Sequence, residues 1–370
     1  MLRIIVTAGG TGGHIFPAIA IIEELQARGI DILFVGNQNS MEEKIVKDIG
    51  IPFRAIDVQK LYRSFTLKHL KFPYKFLKSY ILSNKILDEY KPDCSIGTGG
   101  FVSAPILICA ATKGIPIFLQ EQNSYPGLTT RLLRKRAEKI FIAYESAMNY
   151  LPNSSCEYTG NPLQKGFTMT READVHHNTS PDTSVSLLIL GGSQGAQAIN
   201  DTIIETIPDF LKLNMHIIWQ TGERNYERVK EMLGNLNSDE RIEIFPFSFN
   251  MQEVYRRSDI AVSRAGALTL AELEHMRIPA IVIPLPHSAG NHQYHNARQL
   301  EEQKKVIMIK QAELTSAKFL QSINIIRSKL DEFRSNMIGS KHATAAAKIA
   351  DIITTSIKNK AQEGQNVREN

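Results

Sequence analysis

Short apolar runs alternate with longer stretches of helical period along most of the chain. Leu2–Val6 is one such run, and Phe16–Ala27 follows with Ala18, Ile19, Ile22 and Leu25 in helical register from Pro17 onward. Further strand-like runs fall at Ile32–Val35, Phe53–Ile56, Ser95–Gly97, Ile115–Leu119 and Lys139–Ile142. Helical patterns lie between them at Met41–Ile49, Leu67–Tyr90, Val102–Thr112 and Leu128–Ala137. This alternation predicts βαβ units and a parallel, doubly wound α/β sheet. Gly160-Asn-Pro-Leu163 marks a domain edge, and the polar passage His176–Ser184 reads as linker or surface loop, its paired histidines in solvent.

The plan then repeats. Ser186–Leu190 is an apolar strand leading into Gly191-Gly-Ser-Gln-Gly-Ala196 and a helical pattern over Ile199–Leu211, with further strands at Met215–Gln220, Ile242–Phe245, Ile260–Ser263 and Ala280–Ile283. The expected organisation is a first domain over 1–160, a linker over 161–184, a second domain over 185–340, and a C-terminal helix with a frayed tail over 341–370. A cleft between two such domains is the natural place for a site.

The turns carry the chemistry. Thr7-Ala-Gly-Gly-Thr-Gly-Gly-His14 packs four glycines between a strand and a helix. Without Cβ atoms, such a turn lets backbone N–H groups approach a ligand, and with the helix N-terminus it favours an anion; a tight turn with no ligand is the plainer alternative. His14 stands at its lip as a titratable group. Neither glycine turn fits the dinucleotide fingerprint: Ile15 stands where the third glycine belongs, and no acid closes the second strand at Val35-Gly-Asn37. A dehydrogenase is therefore a weak alternative, and no GxxxxGK[ST] loop supports a P-loop ATPase.

In the second half, Ser263-Arg-Ala-Gly-Ala-Leu-Thr-Leu-Ala-Glu272 reads as strand end, glycine turn and helix start. Amides at Leu268 and Thr269 would meet a pyrophosphate, and Glu272 would accept both hydroxyls of a ribose. An ordinary helix start with a solvated glutamate is the other reading. His292-x-x-His295 has no third partner that would make it a metal site.

Composition narrows the class. The 370 residues are 43% hydrophobic and 22% charged, as in a globular protein. Cys94, Cys109 and Cys156 are widely spaced, which predicts neither a disulfide framework nor structural zinc. Met1-Leu-Arg runs straight into a strand, so no signal peptide is expected, and no apolar stretch is long enough to span a bilayer. The net charge is only +5, but Val58–Leu87 has no Asp or Glu, and its lysines are interleaved with Leu, Phe, Tyr and Ile. Two readings stand: a face for an anionic membrane, or a core helix with lysines in water. No motif supports nucleic-acid binding.

Five pieces share an order: Gly9-Gly-Thr-Gly-Gly-His-Ile-Phe-Pro17; Glu121-Gln-Asn123 with Pro126-Gly127; Gly191–Ala196; Ser263–Glu272; and Asn291-His-Gln293 with Asn296-Ala297. Together they resemble the bacterial undecaprenyldiphospho-muramoylpentapeptide β-N-acetylglucosaminyltransferases, the MurG family of GT-B glycosyltransferases (family 28). The resemblance implies a GT-B fold of two tandem Rossmann-like domains. It implies inverting transfer of GlcNAc from UDP-GlcNAc to the muramoyl 4-hydroxyl of lipid I, giving lipid II and UDP, with no cofactor and no metal. Carried over by motif, Thr11, Gly12, Gly13 and Asn123 lie near the bound substrates and Ser193 meets the diphosphate. Ala267, Leu268, Thr269, Leu270 and Ala271 line the nucleotide, Glu272 holds the ribose and Gln293 meets the transferred sugar. His14 is the implied general base, with Glu121 next in line.

A lipid-anchored acceptor also implies peripheral attachment at the cytoplasmic face of the cell membrane. Lys68, Lys71, Phe72, Lys75 and Phe76 are then the expected contact with its anionic inner leaflet, Arg131, Arg134, Lys135 and Arg136 can extend it, and other cell-wall synthesis proteins are possible partners. The chain departs from the family pattern at Gln120, where histidine is common, at Phe101, where tyrosine is common, and at Gln164, where a nucleotide-contacting arginine is common and Lys165 stands next. A different GT-B UDP-sugar transferase, a UDP-GlcNAc epimerase or a non-catalytic binding protein are the competing readings; Gly9–Pro17 and Glu121–Asn123 weigh against the first two, and His14 against the third.

Overall fold

The computed structural model describes residues 1–58, 72–168, 184–191, 196–248 and 250–369. It divides into two compact units, Met1–Lys165 together with Lys341–Asn370, and Gly166–Ser340.

The first unit runs β1 (Arg3–Thr7), α1 (Gly12–Ala27), β2 (Asp31–Asn37), α2 (Met41–Asp48), β3 (Phe53–Ile56), α3 (Phe72–Tyr90), β4 (Cys94–Gly97), α4 (Ser103–Thr112), β5 (Ile117–Glu121), α5 (Leu128–Leu133), β6 (Lys139–Ile142) and β7 (Cys156–Tyr158). Its strands are parallel in the order β3-β2-β1-β4-β5-β6-β7, with Val6 of β1 opposite Phe34 on one side and Ile96 on the other. Both faces are covered, which is why the central strands are continuously apolar. Ile4 and Val6 pack with Ile21, Ile22 and Leu25 of α1, whereas Ile5 packs on the opposite face with Ile106 and Leu107 of α4. The strand order reverses between β1 and β4, so the loops that follow these strands lie at the topological switch point.

The second unit contains β8 (Val185–Leu190), α6 (Gln197–Lys212), β9 (Met215–Gln220), α7 (Tyr226–Leu233), β10 (Ile242–Phe245), α8 (Met251–Arg256), β11 (Ile260–Ser263), α9 (Ala267–His275), β12 (Ala280–Val282), α10 (His292–Glu302), β13 (Val306–Met308), α11 (Ser316–Ser328) and α12 (Leu330–Ser335). Its parallel order is β10-β9-β8-β11-β12-β13, with the switch point between β8 and β11. Trp219, the only tryptophan, is fully buried in this unit's core.

The chain then returns. α13 (His342–Glu369) lies along α1 and buries Ile349, Ala350, Ile353 and Ile357 in the first unit's core. Each buried isoleucine contributes on the order of 1.5–3 kcal/mol, more than the exposed Arg28–Asp351 ion pair beside them. The C-terminal segment is thus part of the first unit, and its helix continues to Glu369 through the stretch expected to fray. Lys360 within that stretch pairs with Glu138 of the first unit, which ties the start of the tail to the fold.

Other boundaries move too. α1 begins at Gly12 rather than at Phe16 or Pro17, so Pro17 is inside the helix and His14 is on its first turn. β7 and β13 escape the sequence pattern because each is a three-residue edge strand, half solvated and not continuously apolar. The helix expected from Leu67 is described only from Phe72. Among the described residues no helix is long and apolar enough to cross a membrane. Cys94, Cys109 and Cys156 are free thiols, all raised by burial, Cys109 to about 11.

Ile353→Ala should lower the first unit's stability by about 2–5 kcal/mol. In chemical denaturation the far-UV circular dichroism transition should move to lower denaturant, with the Trp219 fluorescence transition moving less.

Candidate functional site

The first unit's turns interlock through glycine. Gly10, Gly99 and Gly100 have φ of 93°, 108° and 85°, a left-handed backbone that side chains disfavour. A Cβ on Gly100 would lie 2.2 Å from the Gly9 carbonyl oxygen, and one on Gly99 would lie 2.6 Å from His14 Nδ1. The turn after β1 therefore touches the turn after β4 backbone to backbone.

That closeness anchors His14. Its Nδ1 is 3.2 Å from the Thr98 carbonyl oxygen and 3.0 Å from Gln122 Oε1, while Thr98 Oγ1 donates to the His14 carbonyl at 2.7 Å. A neighbouring helix already supplies this turn with an anion. Buried Glu42 of α2 accepts from Gly10 N–H at 3.5 Å and Asn37 N–H at 3.2 Å. A carboxylate already meets one amide of this turn, which weakens the expectation of a phosphate there. Gly12 and Gly13 begin α1, and Thr11 precedes them without a side-chain capping bond.

Glu121 is engaged by its own loop. One carboxylate oxygen accepts from the backbone and side-chain amides of Asn123, at 3.1 and 3.2 Å. The other accepts from Gly127 N–H at 2.9 Å and Thr130 Oγ1 at 2.7 Å. Four donors of its own loop fill both oxygens, so Glu121 shapes that loop and holds Asn123 rather than offering a lone pair to a substrate. Lys165, considered above as a nucleotide contact, faces Glu23 of α1, whose carboxyl is raised by burial against the pull of that lysine.

In the second unit, β11 delivers Ser263 to the turn Arg264-Ala-Gly266 and α9 begins at Ala267. Gly266 offers no side chain to cap the helix, and the first helical bond runs from Leu270 N–H to Gly266 O at 2.9 Å. The amides of Leu268 and Thr269 precede that bond and lie outside the helical ladder. Leu270 and Ala271 turn into the core, so their expected part as lining residues is not that of their side chains. Among the described residues Ser263 Oγ is buried with no hydrogen-bond partner, and half-buried Arg264 donates only to the Ile283 carbonyl, at 3.2 Å. Burial lowers the Arg264 guanidinium from its ordinary range. Asn296 of α10 braces the turn by donating to Ala265 O at 3.4 Å.

Glu272 is half-buried, and desolvation pushes its carboxyl up to about 7. One hydrogen bond opposes that shift: Tyr255 of α8 donates to Glu272 Oε2 at 2.8 Å. Burial against Phe167 and the neighbouring carboxylate raise Tyr255 well above its ordinary range. Gln293 bonds its own loop, its Oε1 accepting from Leu285 N–H at 2.8 Å. Ser193 lies outside the described residues. Among the described residues no three His, Cys, Asp or Glu side chains group as a metal site.

The basic stretch is partly visible. Lys68 and Lys71 lie outside the described residues, as does the side chain of Phe72. Lys75 pairs with Asp57 at 3.2 Å and Phe76 is half-buried. The exposed apolar residues of α3 are instead Tyr74, Leu77 and Ile81, at 70%, 57% and 61% exposure, one stripe at helical spacing. On the same sheet face, α5 exposes Leu128 and Leu132, with Arg131 stacked over Tyr125 at 5.2 Å.

Sequence reasoning singled out His14, Glu272 and the glycine turns but missed Thr98, Gln122 and Tyr255. Gln122 stands inside the quoted Glu121-Gln-Asn123, beside a louder acid, and Thr98 stands between Gly97 and Gly99, beside louder glycines. Tyr255 gives no local signal, because only the packing of α8 on α9 brings it to Glu272.

Residues 4–142 match the glycosyltransferase family 28 N-terminal domain, and residues 186–354 the glycosyltransferase family 28 C-terminal domain. The chain is 37% identical to a Bacillus subtilis protein named UDP-N-acetylglucosamine–N-acetylmuramyl-(pentapeptide) pyrophosphoryl-undecaprenol N-acetylglucosamine transferase, over 88% of this chain and 90% of that one. It is 35% identical to the Halalkalibacterium halodurans protein of the same name, over 94% and 98% of the two chains. The crystal structure of Acinetobacter baumannii MurG matches with a TM-score of 0.79 at 26% identity, covering 96% of this chain and all of that one. Two glycine-turned parallel sheets, a histidine anchored on the first and a half-buried glutamate on the second thus occur in a chain that belongs to the family 28 glycosyltransferases, in the MurG family of N-acetylglucosamine transferases.

Proposed function

We propose that this chain transfers GlcNAc from UDP-GlcNAc to the muramoyl 4-hydroxyl of lipid I, yielding lipid II and UDP, with inversion and without a metal, at an anionic membrane surface. The observation that carries the reading is the presence in one chain of a histidine anchored on a glycine-lined turn and a nucleotide-type turn ending in Glu272. In a single displacement the acceptor hydroxyl loses its proton to His14 as its oxygen attacks the anomeric carbon from the face opposite the leaving group. The bond to UDP breaks and its electrons pass to the diphosphate. Arg264 and the amides of Leu268 and Thr269 supply positive potential for that charge. Glu272 accepts the ribose hydroxyls. The exposed stripe of α3 and the apolar tips of α5 meet the membrane that carries the acceptor.

Transfer of labelled GlcNAc to a lipid I analogue tests the whole reading. Wild type should turn over with EDTA present, and His14→Ala should lose about 10²–10⁴-fold in kcat while keeping UDP affinity. Hydrolysis or epimerisation of UDP-GlcNAc with no transfer would overturn it.

The raised carboxyl of Glu272 predicts a pH signature. Ribose hydroxyls favour the ionised form, so below about 7 UDP must displace a proton to bind. Affinity should rise with pH by up to about tenfold per unit in that range and level off above it. Glu272→Gln should lose this component, leaving only the titration of the diphosphate itself. Tyr255→Phe removes the bond that favours the ionised form and should move the transition to higher pH, as read by calorimetry across pH.

Leu77→Asp with Ile81→Asp should weaken sedimentation with vesicles containing anionic lipid by about tenfold or more, with UDP affinity kept. Undiminished vesicle binding would remove α3 from the membrane contact.

A further inference from the structure

We infer that Gln122 is the positioning residue of the base: its amide fixes His14 as the Nδ1–H tautomer and leaves the Nε2 lone pair for the acceptor hydroxyl. The inference rests on the reading of His14 as base.

The hydrogen bonds determine the direction of every group. His14 Nδ1 faces two oxygens, Thr98 O at 3.2 Å and Gln122 Oε1 at 3.0 Å. A carbonyl oxygen only accepts, so the proton belongs on Nδ1. The orientation of the Gln122 amide is itself imposed, because its Nε2 donates to Thr98 O at 2.5 Å and to Gln120 Oε1. Reversed, the amide would set its oxygen against both of those oxygens. Gln120 is oriented in turn by donating to Asn161 Oδ1 at 3.2 Å, and Asn161 Nδ2 donates back to the Gln122 carbonyl at 3.2 Å. Asn161 N–H donates to Nδ1 of His342, the first residue of α13, at 2.8 Å. Gln120, Gln122 and Asn161 are all buried, so a reversed amide would leave polar groups unmatched where no water can compensate.

The chemistry needs this arrangement. As the acceptor O–H breaks, a new N–H forms at Nε2 and the imidazole becomes a cation. Its Nδ1–H is then a stronger donor to Thr98 and Gln122, whose oxygens take up part of the developing charge. The proton later leaves Nε2 for solvent. The carboxylates of the surrounding elements, Glu42 and Glu121, are bound to loop donors and not to the imidazole. A neutral amide therefore orients the ring without a full counter-charge.

The test has three readings on the full-length protein. Ring ¹⁵N spectra of His14 in the free wild type should show Nδ1–H with an unprotonated Nε2; an Nε2–H tautomer overturns the inference. Gln122→Met should reduce kcat by about ten- to a hundredfold with UDP affinity kept. Gln122→Glu returns an acceptor to Nδ1 and adds charge. It should recover part of that loss and move the acid limb of the kcat profile to higher pH. Loss of rate in both variants with an unmoved acid limb would mean a structural part only and overturn the inference. Full turnover in His14→Ala would instead overturn the base assignment, a separate result on a separate variant.

Discussion

Where β1 and β4 end side by side, the chain leaves no room for a β-carbon. Gly100 would drive one to 2.2 Å from the Gly9 oxygen, and Gly99 would drive one into the ring of His14. The parallel register that places Thr7 opposite Gly97 fixes how close these strand ends come. The glycines turn that closeness into a site by letting Thr98 reach the first turn of α1. The hydrogen bonds of His14 to Thr98 and the seat of Gln122 against Thr98 both follow from that approach. Backbone conformation compounds the steric demand, since φ of 108° and 85° at Gly99 and Gly100 would strain any residue bearing a side chain.

The two units solve opposite electrostatic problems. The first turn is met by a protein carboxylate, Glu42, and offers an imidazole ringed by neutral amides. The second has, among the described residues, an uncapped helix start, a half-buried arginine bound only to a carbonyl and an unpartnered buried hydroxyl. A sugar hydroxyl suits the first setting and a diphosphate the second. This division explains why two strand-to-helix turns, Gly9–Gly13 and Arg264–Gly266, differ in what they can bind. The difference lies in what stands behind each turn, and those residues come from other elements.

Most of the fold was legible because a parallel sheet covered on both faces writes continuous apolar runs, and eleven of the thirteen described strands announce themselves as apolar runs. Edge strands such as Cys156–Tyr158 leave no such mark. His14 and Glu272 stand in local motifs that single them out. The loop donors around Glu121 could not be read, because an acid in such a motif looks the same whether or not it faces its own loop's amides. Tyr255 and the amide chain from Gln122 to His342 depend on contacts across long stretches of sequence, where no spacing rule reaches.

The return of α13 bears on how the protein comes off the ribosome. A domain usually completes its fold in the order in which it is made. Here the sheet of the first unit emerges early, yet the isoleucines at 349, 353 and 357 that close one of its faces appear only after the whole second unit. The second unit, by contrast, is an unbroken span over Gly166–Ser340. The half of the chain made later can finish first, while the half made earlier waits with one apolar face uncovered. During synthesis that face is the part of the nascent chain most in need of a chaperone.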